Sequence, residues 1–279
     1  MNRINKRFQE LKSKRQKALV AFVTAGDPNM ETTERVFGVL EKSGVDIVEI
    51  GVPFTDPLAD GPVILQSALR SLKEGTTLKK IIKLVEDIRE NSQLPIVLMS
   101  SYNPIFTYGD KRFIDDALKA GVDGVIIPDL PPEEGVELAA YAQEKEFSII
   151  YLLAPTSTSD RVEKVLKQSD GFIYYISITG VTGVRSSLAE GIEEKVSKIK
   201  EKAELPVLIG FGISDQEQAK KAAEISDGVI VGSALVKTID ENPDPKTCDE
   251  KVEALIADLK NGVLEASPKP SFFQRIFGF

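Results

Sequence analysis

Histidine is absent from this chain of 279 residues, and Cys248 is its only cysteine. The absence of histidine excludes imidazole metal sites, histidine-dependent catalytic triads and a histidine general base. Acid and base chemistry must therefore come from Asp, Glu, Lys or Tyr side chains. A single cysteine cannot form an intrachain disulfide, which fits a reducing compartment and predicts a cytoplasmic protein.

Long apolar runs are missing as well. No stretch approaches the roughly 20 residues of a membrane span, and no apolar signal-peptide core follows the basic N-terminus. Instead, Ile4, Phe8 and Leu11 recur at helical spacing and predict a short amphipathic helix. The net charge of −8 argues against binding to nucleic acid or to an anionic membrane surface. An anionic substrate would therefore need a local positive site.

Eight short runs rich in valine and isoleucine recur along the chain, with segments of 3.6-residue periodicity between them. Nearly continuous apolarity is typical of parallel strands that are covered on both faces. Because strand and helix alternate throughout, the sheet is predicted to be parallel, and eight such units close into a barrel. The predicted strands are 18–24, 45–51, 95–100, 123–129, 147–154, 171–177, 206–212 and 227–233, and four of the predicted helices are 31–44, 77–91, 132–145 and 214–226.

The predicted fold is a single (β/α)8 barrel over residues 1–266, with an extra N-terminal helix and extra helices after strands 2 and 8. A weak repeat at 44–47, 121–124, 169–172 and 226–229 closes a helix and opens a strand each time. Its glycines suit the left-handed conformation of a tight turn. The segment 267–279 contains two prolines and four phenylalanines, and it is predicted to be a peripheral tail without chemistry.

A carboxylate, Glu49, stands at the end of the second predicted strand, before a long loop at 50–62. By the alternation of side chains along a strand, it shares a face with Val45 and Ile47. A carboxylate among apolar side chains is costly unless a cation pairs with it or a raised pKa keeps it protonated. Two interpretations stay open, a buried ion pair and a catalytic acid/base. We favour the catalytic one because Glu49 lies at a strand end beside a long loop.

The loop after Glu49 contains two more carboxylates, Asp56 and Asp60. The loop is rich in proline and glycine, which predicts a defined shape. Gly61 and Pro62 follow Asp60 and suit a helix start, so a helix N-cap is the alternative to a functional role for Asp60. Asp56 precedes a proline, so a turn position is the corresponding alternative there.

Small residues follow strands 7 and 8, at 210–214 and 232–236, and each group precedes a helical segment. Glycine lets the backbone approach phosphate oxygens, and a helix N-terminus supplies N–H donors. Barrels often build a phosphate site from these two loops and a short extra helix, which is predicted here at 233–241. The loop after strand 6, at 178–187, adds two glycines and is predicted to be a lid. These three loops together predict a phosphate site.

Seven stretches of the sequence resemble one family, and they span the chain from about residue 18 to residue 259. They are 22-FVTAGDPN-29, 46-DIVEIGVPFTDPLADGP-62, 102-YNPI-105, 127-IPDLP-131, 179-TGVTGVR-185, 208-LIGFGIS-214 and 228-GVIVGSALV-236. The chain resembles the tryptophan synthase alpha subunit family, and the second and fifth stretches are the most specific. Leu65 departs from the family pattern, which has glutamine at this position.

The resemblance implies a lyase that cleaves indole-3-glycerol phosphate by a retro-aldol reaction into indole and glyceraldehyde 3-phosphate, without a metal or a cofactor of its own. It implies that Glu49 transfers protons at indole C3 and at the glycerol hydroxyl. It implies that Asp60 accepts a hydrogen bond from the indole N–H. The remaining assignments are phosphate binding by Gly183, Gly212, Gly232 and Ser233, and pocket lining by Phe211, Tyr174, Met99 and Ile64.

The resemblance also implies a beta-subunit partner that carries pyridoxal phosphate, in an α2β2 complex. Thr182 is then a lid residue that bonds Asp60, and Asp56 lies in the stretch that faces the partner. Three alternatives stay open: a stand-alone lyase, a non-catalytic phosphate-binding subunit that activates a partner, and another sugar-phosphate barrel such as an isomerase. Glu49 and Asp60 argue against the last two, because neither of those functions explains this carboxylate pair.

Overall fold

The computed structural model describes residues 2–58, 60–176, 191–210 and 212–267. Five of the sequence predictions lie outside the described residues. They concern the lid at 178–187, the roles of Thr182 and Gly183 within it, Phe211, and the tail from Pro268 onward.

Parallel strands form one continuous sheet that closes into a barrel. The strand order is β5-β4-β3-β2-β1-β9-β8-β7-β6. β5 and β6 are consecutive segments separated only by Tyr151, so the two ends of this order meet and eight strand positions complete the ring. The predicted (β/α)8 barrel is confirmed. The strands are β1 (Ala18–Thr24), β2 (Ile47–Gly51), β3 (Ile96–Met99), β4 (Gly124–Ile126), β5 (Ser148–Ile150), β6 (Leu152–Leu153), β7 (Ile173–Ile176), β8 (Val207–Gly210) and β9 (Gly228–Val231).

The fifth predicted strand is divided where it changes partner. β5 pairs with β4, and β6 pairs with β7. The Tyr174 N–H bonds the Tyr151 carbonyl at 3.2 Å, so the ladder continues across the division. Side-chain alternation also continues, since Ile150 and Leu152 belong to the inner core whereas Tyr151 belongs to the outer one.

Twelve helices surround or flank the barrel within the described part of the chain. Both predicted sets of extra helices are present, after β2 and after the last strand, and none of the described helices is long and apolar enough to cross a bilayer. The helices are α1 (Arg3–Ser13), α2 (Met30–Lys42), α3 (Pro62–Lys73), α4 (Leu78–Arg89), α5 (Tyr102–Tyr108), α6 (Asp110–Ala120), α7 (Val136–Glu144), α8 (Ser159–Gln168), α9 (Ile192–Lys202), α10 (Gln216–Ile225), α11 (Ser233–Glu241) and α12 (Pro245–Glu265).

Three details differ from the sequence predictions. The fourth strand ends at Ile126 instead of 129, in line with Pro128, which has no N–H for the ladder. Helix α7 begins four residues later than predicted, because the N–H groups of Glu134 and Gly135 turn back to the Pro131 carbonyl. The short helix α5 after β3 was not predicted individually.

The apolar core has two layers. The outer layer lies between the strands and the helices, and the inner layer fills the barrel. The predicted N-terminal helix α1 closes the bottom of the barrel, where Ile4 and Leu11 are buried in the inner layer. Its Phe8 ring lies 5.9 Å from the Phe172 ring. This plug seals the end of the barrel opposite to the carboxyl ends of the strands.

Buried aspartates at the bottom of the barrel give the sequence repeat a structural role. Asp46 accepts the Leu19 N–H at 2.7 Å, and Asp123 accepts the Ile96 N–H at 2.9 Å. Each carboxylate thus bonds the start of the preceding strand. Of the repeat glycines, Gly44, Gly121 and Gly171 have φ angles of 82°, 94° and 80°, the left-handed conformation predicted for the turns.

Replacing Asp123 should destabilise the protein. Its carboxylate also pairs with Arg89 at 2.9 Å and with Arg3 at 3.0 Å. Asp123→Ala should lower the free energy of unfolding by about 3 kcal/mol, because it leaves a buried cation and a buried N–H without partners. Urea denaturation measures this loss. The control Glu86→Ala removes an exposed ion pair with Lys83 and should change the stability little. Equal effects of the two substitutions would contradict the proposed role of Asp123.

Candidate active site

Glu49 lies inside the barrel near the carboxyl ends of the strands. It is paired in register with Phe22 of β1 and Val97 of β3. Ile47, two residues earlier on the same face, belongs to the inner core, and Glu49 is only 1% exposed. Neither carboxylate oxygen has a hydrogen-bond partner among the described residues. Burial, followed by the charge of Asp60, raises the pKa of Glu49 from 4.5 to about 8.

The alternative of a buried ion pair at Glu49 finds no support in the described part of the chain, where no Lys or Arg pairs with this carboxylate. A charged, isolated carboxylate in this environment would carry a large desolvation cost. The protonated form is therefore the one that this site favours at neutral pH, and a protonated carboxyl can donate a proton.

Asp60 is half-buried in the loop between β2 and α3. The residue at the N-cap of α3 is Gly61, with Pro62 in the first turn, and the cap makes no side-chain hydrogen bond. Asp60 thus does not serve as the N-cap of this helix. Burial raises the pKa of Asp60, while the nearby N-terminus of α3 favours its charged form.

A cleft that is open to solvent lies at the carboxyl ends of β1 to β4. Three residues named in the sequence analysis line it together, Asp60, Ile64 and Met99. Most of the remaining wall is apolar or backbone. The arrangement places two carboxylates, Asp60 and Asp129, in a wall that is otherwise mainly apolar.

Phe22 and Asp129 are among the lining residues that the sequence analysis did not name. Phe22 comes from β1, and its ring covers Gly51, where a β-carbon would collide with it. Strand alternation could have placed Phe22 on the inner face. Asp129 follows β4 and accepts the Tyr102 N–H at 2.8 Å, which links the cleft wall to α5. Its position in the conspicuous stretch 127–131 was the only signal in the sequence.

Tyr174 of β7 lies near both carboxylates. Burial and then the charges of Glu49 and Asp60 raise its pKa well above the usual value. A β-carbon on Gly210 of β8 would collide with the Tyr174 hydroxyl, so the absence of a side chain at 210 leaves room for this ring. The tyrosine thus brings a ring from β7 near the carboxylate pair, which comes from β2 and the loop after it.

The predicted extra helix 233–241 is confirmed as α11, which begins at Ser233. Its N-cap, Gly232, has no side chain to bond the first N–H groups. A β-carbon at Gly232 would lie 3.7 Å from Ile64, so this helix N-terminus lies next to the cleft. Gly212, just after β8, has a φ of 52° and open space where a β-carbon would be. The α11 N-terminus at Gly232 and Ser233 is therefore placed where backbone donors can face a ligand, and the backbone of Gly212 is open to close approach.

Asp56 lies apart from these groups. It is exposed in the loop after β2, where it accepts a hydrogen bond from the Thr55 hydroxyl at 2.5 Å. Its neighbour Leu58 is 86% exposed, an unusual position for a large apolar side chain.

Comparisons with known proteins agree with this geometry. The profile of the family described as tryptophan synthase alpha chain matches residues 8–264. The tryptophan synthase alpha chain of Geotalea daltonii is 50% identical over 263 residues, which are 94% of this chain and 99% of the relative. That of Geobacter sp. (strain M21) is 50% identical over 267 residues, 96% and 100% of the two chains. The chain belongs to the tryptophan synthase alpha chain family.

A solved structure supports the same assignment. Tryptophan synthase subunit alpha from Legionella pneumophila str. Paris has a TM-score of 0.86 and 35% identity, over 94% of this chain and 98% of that one. Membership in the tryptophan synthase alpha family identifies the chain as a lyase of tryptophan biosynthesis and implies a beta-subunit partner.

The burial of Glu49 predicts a stability that depends on pH. Between pH 4.5 and 8, the folded chain keeps a proton on Glu49 that the unfolded chain releases. The wild type therefore loses stability as the pH rises through this window. Glu49→Gln cannot titrate, so its stability relative to wild type should rise by about 1.4 kcal/mol per pH unit across the window. Urea denaturation at pH 5, 6, 7 and 8 measures the difference, and parallel stability curves would contradict the raised pKa.

Proposed function

We propose that this chain cleaves indole-3-glycerol phosphate into indole and glyceraldehyde 3-phosphate, with Glu49 as the acid and base. The observation that carries the proposal is the buried Glu49 carboxyl, which has a raised pKa and no partner among the described residues, beside Asp60 and an apolar cleft. A group that is protonated near neutral pH can donate a proton and then take one back.

The reaction balances without an added reactant. Indole C3 gains a proton from Glu49, the bond from C3 to the glycerol carbon breaks, and its electron pair returns to the ring. The glycerol hydroxyl loses its proton to the Glu49 carboxylate and becomes the aldehyde. Asp60 accepts the indole N–H and stabilises the positive charge that the ring acquires when C3 is protonated. Because the atoms and electrons balance, we propose that this chain needs no cofactor or metal for the reaction.

The apolar side chains of the cleft suit the indole ring. Ile64, Met99 and Phe22 line it, and Tyr174 lies near the two carboxylates. Phe211 is the remaining pocket residue implied by the family, and it lies outside the described residues. A flat aromatic ring in such a cleft gains by removal of apolar surface from water and by ring contacts.

The phosphate group is proposed to bind at the N-terminus of α11. The N–H groups that follow Gly232 and Ser233 are free of a side-chain cap, and a helix N-terminus favours anions. Gly212 lies in the other loop of this pair, and its bare backbone permits close approach. Gly183 is proposed to complete the site from outside the described residues.

The beta-subunit partner is proposed to dock at the carboxyl ends of β2 and β3, in an α2β2 complex. Leu58 follows β2 and Phe106 belongs to α5 after β3, and these side chains are 86% and 66% exposed. Such exposed apolar groups suit a protein interface, and Asp56 lies beside them. Thr182 is proposed to close over Asp60 when the substrate binds. The partner is expected to carry pyridoxal phosphate, and the single cysteine fits a cytoplasmic complex.

Removing the titrating group of Glu49 tests the reaction directly. Glu49→Gln keeps the size of the side chain and should lower turnover of indole-3-glycerol phosphate by at least about 10²-fold, with little change in affinity for phosphate ligands. Wild-type turnover should fall as the pH rises through about 8, because the proton-donating form of Glu49 is lost. Indole release measures both. The control is Glu90→Gln, at the exposed end of α4. Full activity of Glu49→Gln would rule out the assigned role.

Partner dependence has its own test. Adding the beta subunit should raise turnover, and equal turnover with and without it would favour a stand-alone lyase. Phe106→Asp should raise the concentration of beta subunit needed for activation by at least about 10-fold, because aromatic anchors contribute strongly to interfaces. Its turnover without partner should stay unchanged. Leu264→Asp alters another exposed apolar residue, near the end of α12, and serves as the control. Equal effects of the two substitutions would contradict the proposed docking surface.

A further inference from the structure

Arg70 joins three separate elements of the chain. Its Nε and Nη2 donate to Asp27 Oδ1 and Oδ2, both at 2.8 Å, and its Nη1 lies 3.2 Å from Asp240 Oδ1. Arg70 belongs to α3, Asp240 belongs to α11, and Asp27 lies in the loop between β1 and α2. A guanidinium that bonds both oxygens of one carboxylate is fixed in direction as well as in distance.

Helices α3 and α11 run side by side from the rim. At the rim end, a β-carbon on Gly232 would lie 3.7 Å from Ile64. Near the other end, Arg70 reaches Asp240. Asp60 directly precedes α3, and Ser233 is the first residue of α11. The spacing between these two helices therefore sets the spacing between the carboxylate side and the phosphate side of the site.

Asp27, the carboxylate that binds Arg70, is buried in a loop that is fixed by hydrogen bonds. Asp27 is 5% exposed, and the neighbouring Gly26 N–H bonds the Thr33 hydroxyl at 2.9 Å. The Ser71 hydroxyl, next to Arg70 in α3, donates to the Ala25 carbonyl. The loop after β1 is thus a rigid reference point, and Arg70 positions both helices relative to it.

We propose that Arg70 is a positioning residue that sets the distance between the Asp60 side and the α11 side of the substrate site. The inference rests on the proposed function. Its consequence is specific to ligand size: a ligand that spans both sides needs the correct spacing, whereas a fragment that touches only one side does not.

The test compares one spanning ligand with two fragments. Arg70→Met should raise the KM for indole-3-glycerol phosphate by about 10-fold, since a misplacement of about 1 Å can reduce productive binding strongly. The inhibition constants of indole alone and of inorganic phosphate alone should each change by less than about twofold. Arg70→Lys keeps the charge without the two-pronged geometry and should fall between wild type and Arg70→Met. Urea denaturation checks that each variant is folded.

The matched control is Arg35→Met. Arg35 also joins two helices, since it belongs to α2 and pairs with Asp249 of α12, and its side chain is 26% exposed against 32% for Arg70. It contacts neither α3 nor α11 through this pair, so all three constants should stay at wild-type values. An unchanged KM in Arg70→Met, or equal losses for the substrate and both fragments, would overturn the inference. A wild type that releases no indole would overturn the proposed function itself, and this inference with it.

Discussion

The constraint on which the site depends is the burial of one carboxyl group that has no partner in the described part of the chain. Glu49 is almost fully removed from solvent, and its oxygens bond to no described residue. An ionised carboxylate there would lose its hydration without compensation. The group therefore keeps its proton to a pH at which an exposed glutamate has long released it. A barrel interior is suited to this, because strands on every side exclude water from an inward-facing side chain near the strand ends.

A buried carboxyl group of this kind destabilises the fold. At the opposite end of the barrel, buried carboxylates stabilise the fold instead. There the buried carboxylates are fully partnered: Asp46 bonds the Leu19 N–H, Arg7 and Lys260, and Asp123 has an equivalent set. Breaking such a network costs several kcal/mol because charges would be left unpaired. The two ends of the barrel thus serve different purposes, stability at the bottom and the candidate site at the top. Polar pairing and the α1 plug stabilise the bottom, which leaves the top free to hold a carboxyl group in an unfavourable environment.

Hydrophobic periodicity in the sequence predicted most of the fold. Apolar runs located the strands, alternation placed Glu49 on the same face as Ile47, and helix α11 was predicted to the residue. Which face points into the barrel came only from the structure. Other features depend on contacts between distant residues. Arg70 and Asp27 are separated by 43 positions, and neither pattern nor spacing reveals that they meet. The role of Phe22 depends on the shape of the closed barrel. The unexpected helix α5 is only seven residues long, too short for a clear helical period.

The separation of charges across the rim has a further physical consequence. The N-terminus of α11, which has no side-chain cap among the described residues, follows β9, whereas Glu49 belongs to β2 and Asp60 lies in the loop after it. A phosphate bound at α11 would be neutralised in part by these donors. Its remaining negative charge would act on Glu49 once the substrate has displaced water from the cleft, because screening by water is then weak. Like charges favour the protonated form of a carboxyl group. The substrate would thus strengthen the protonation of the acid that acts on it, and its phosphate would contribute to catalysis as well as to binding.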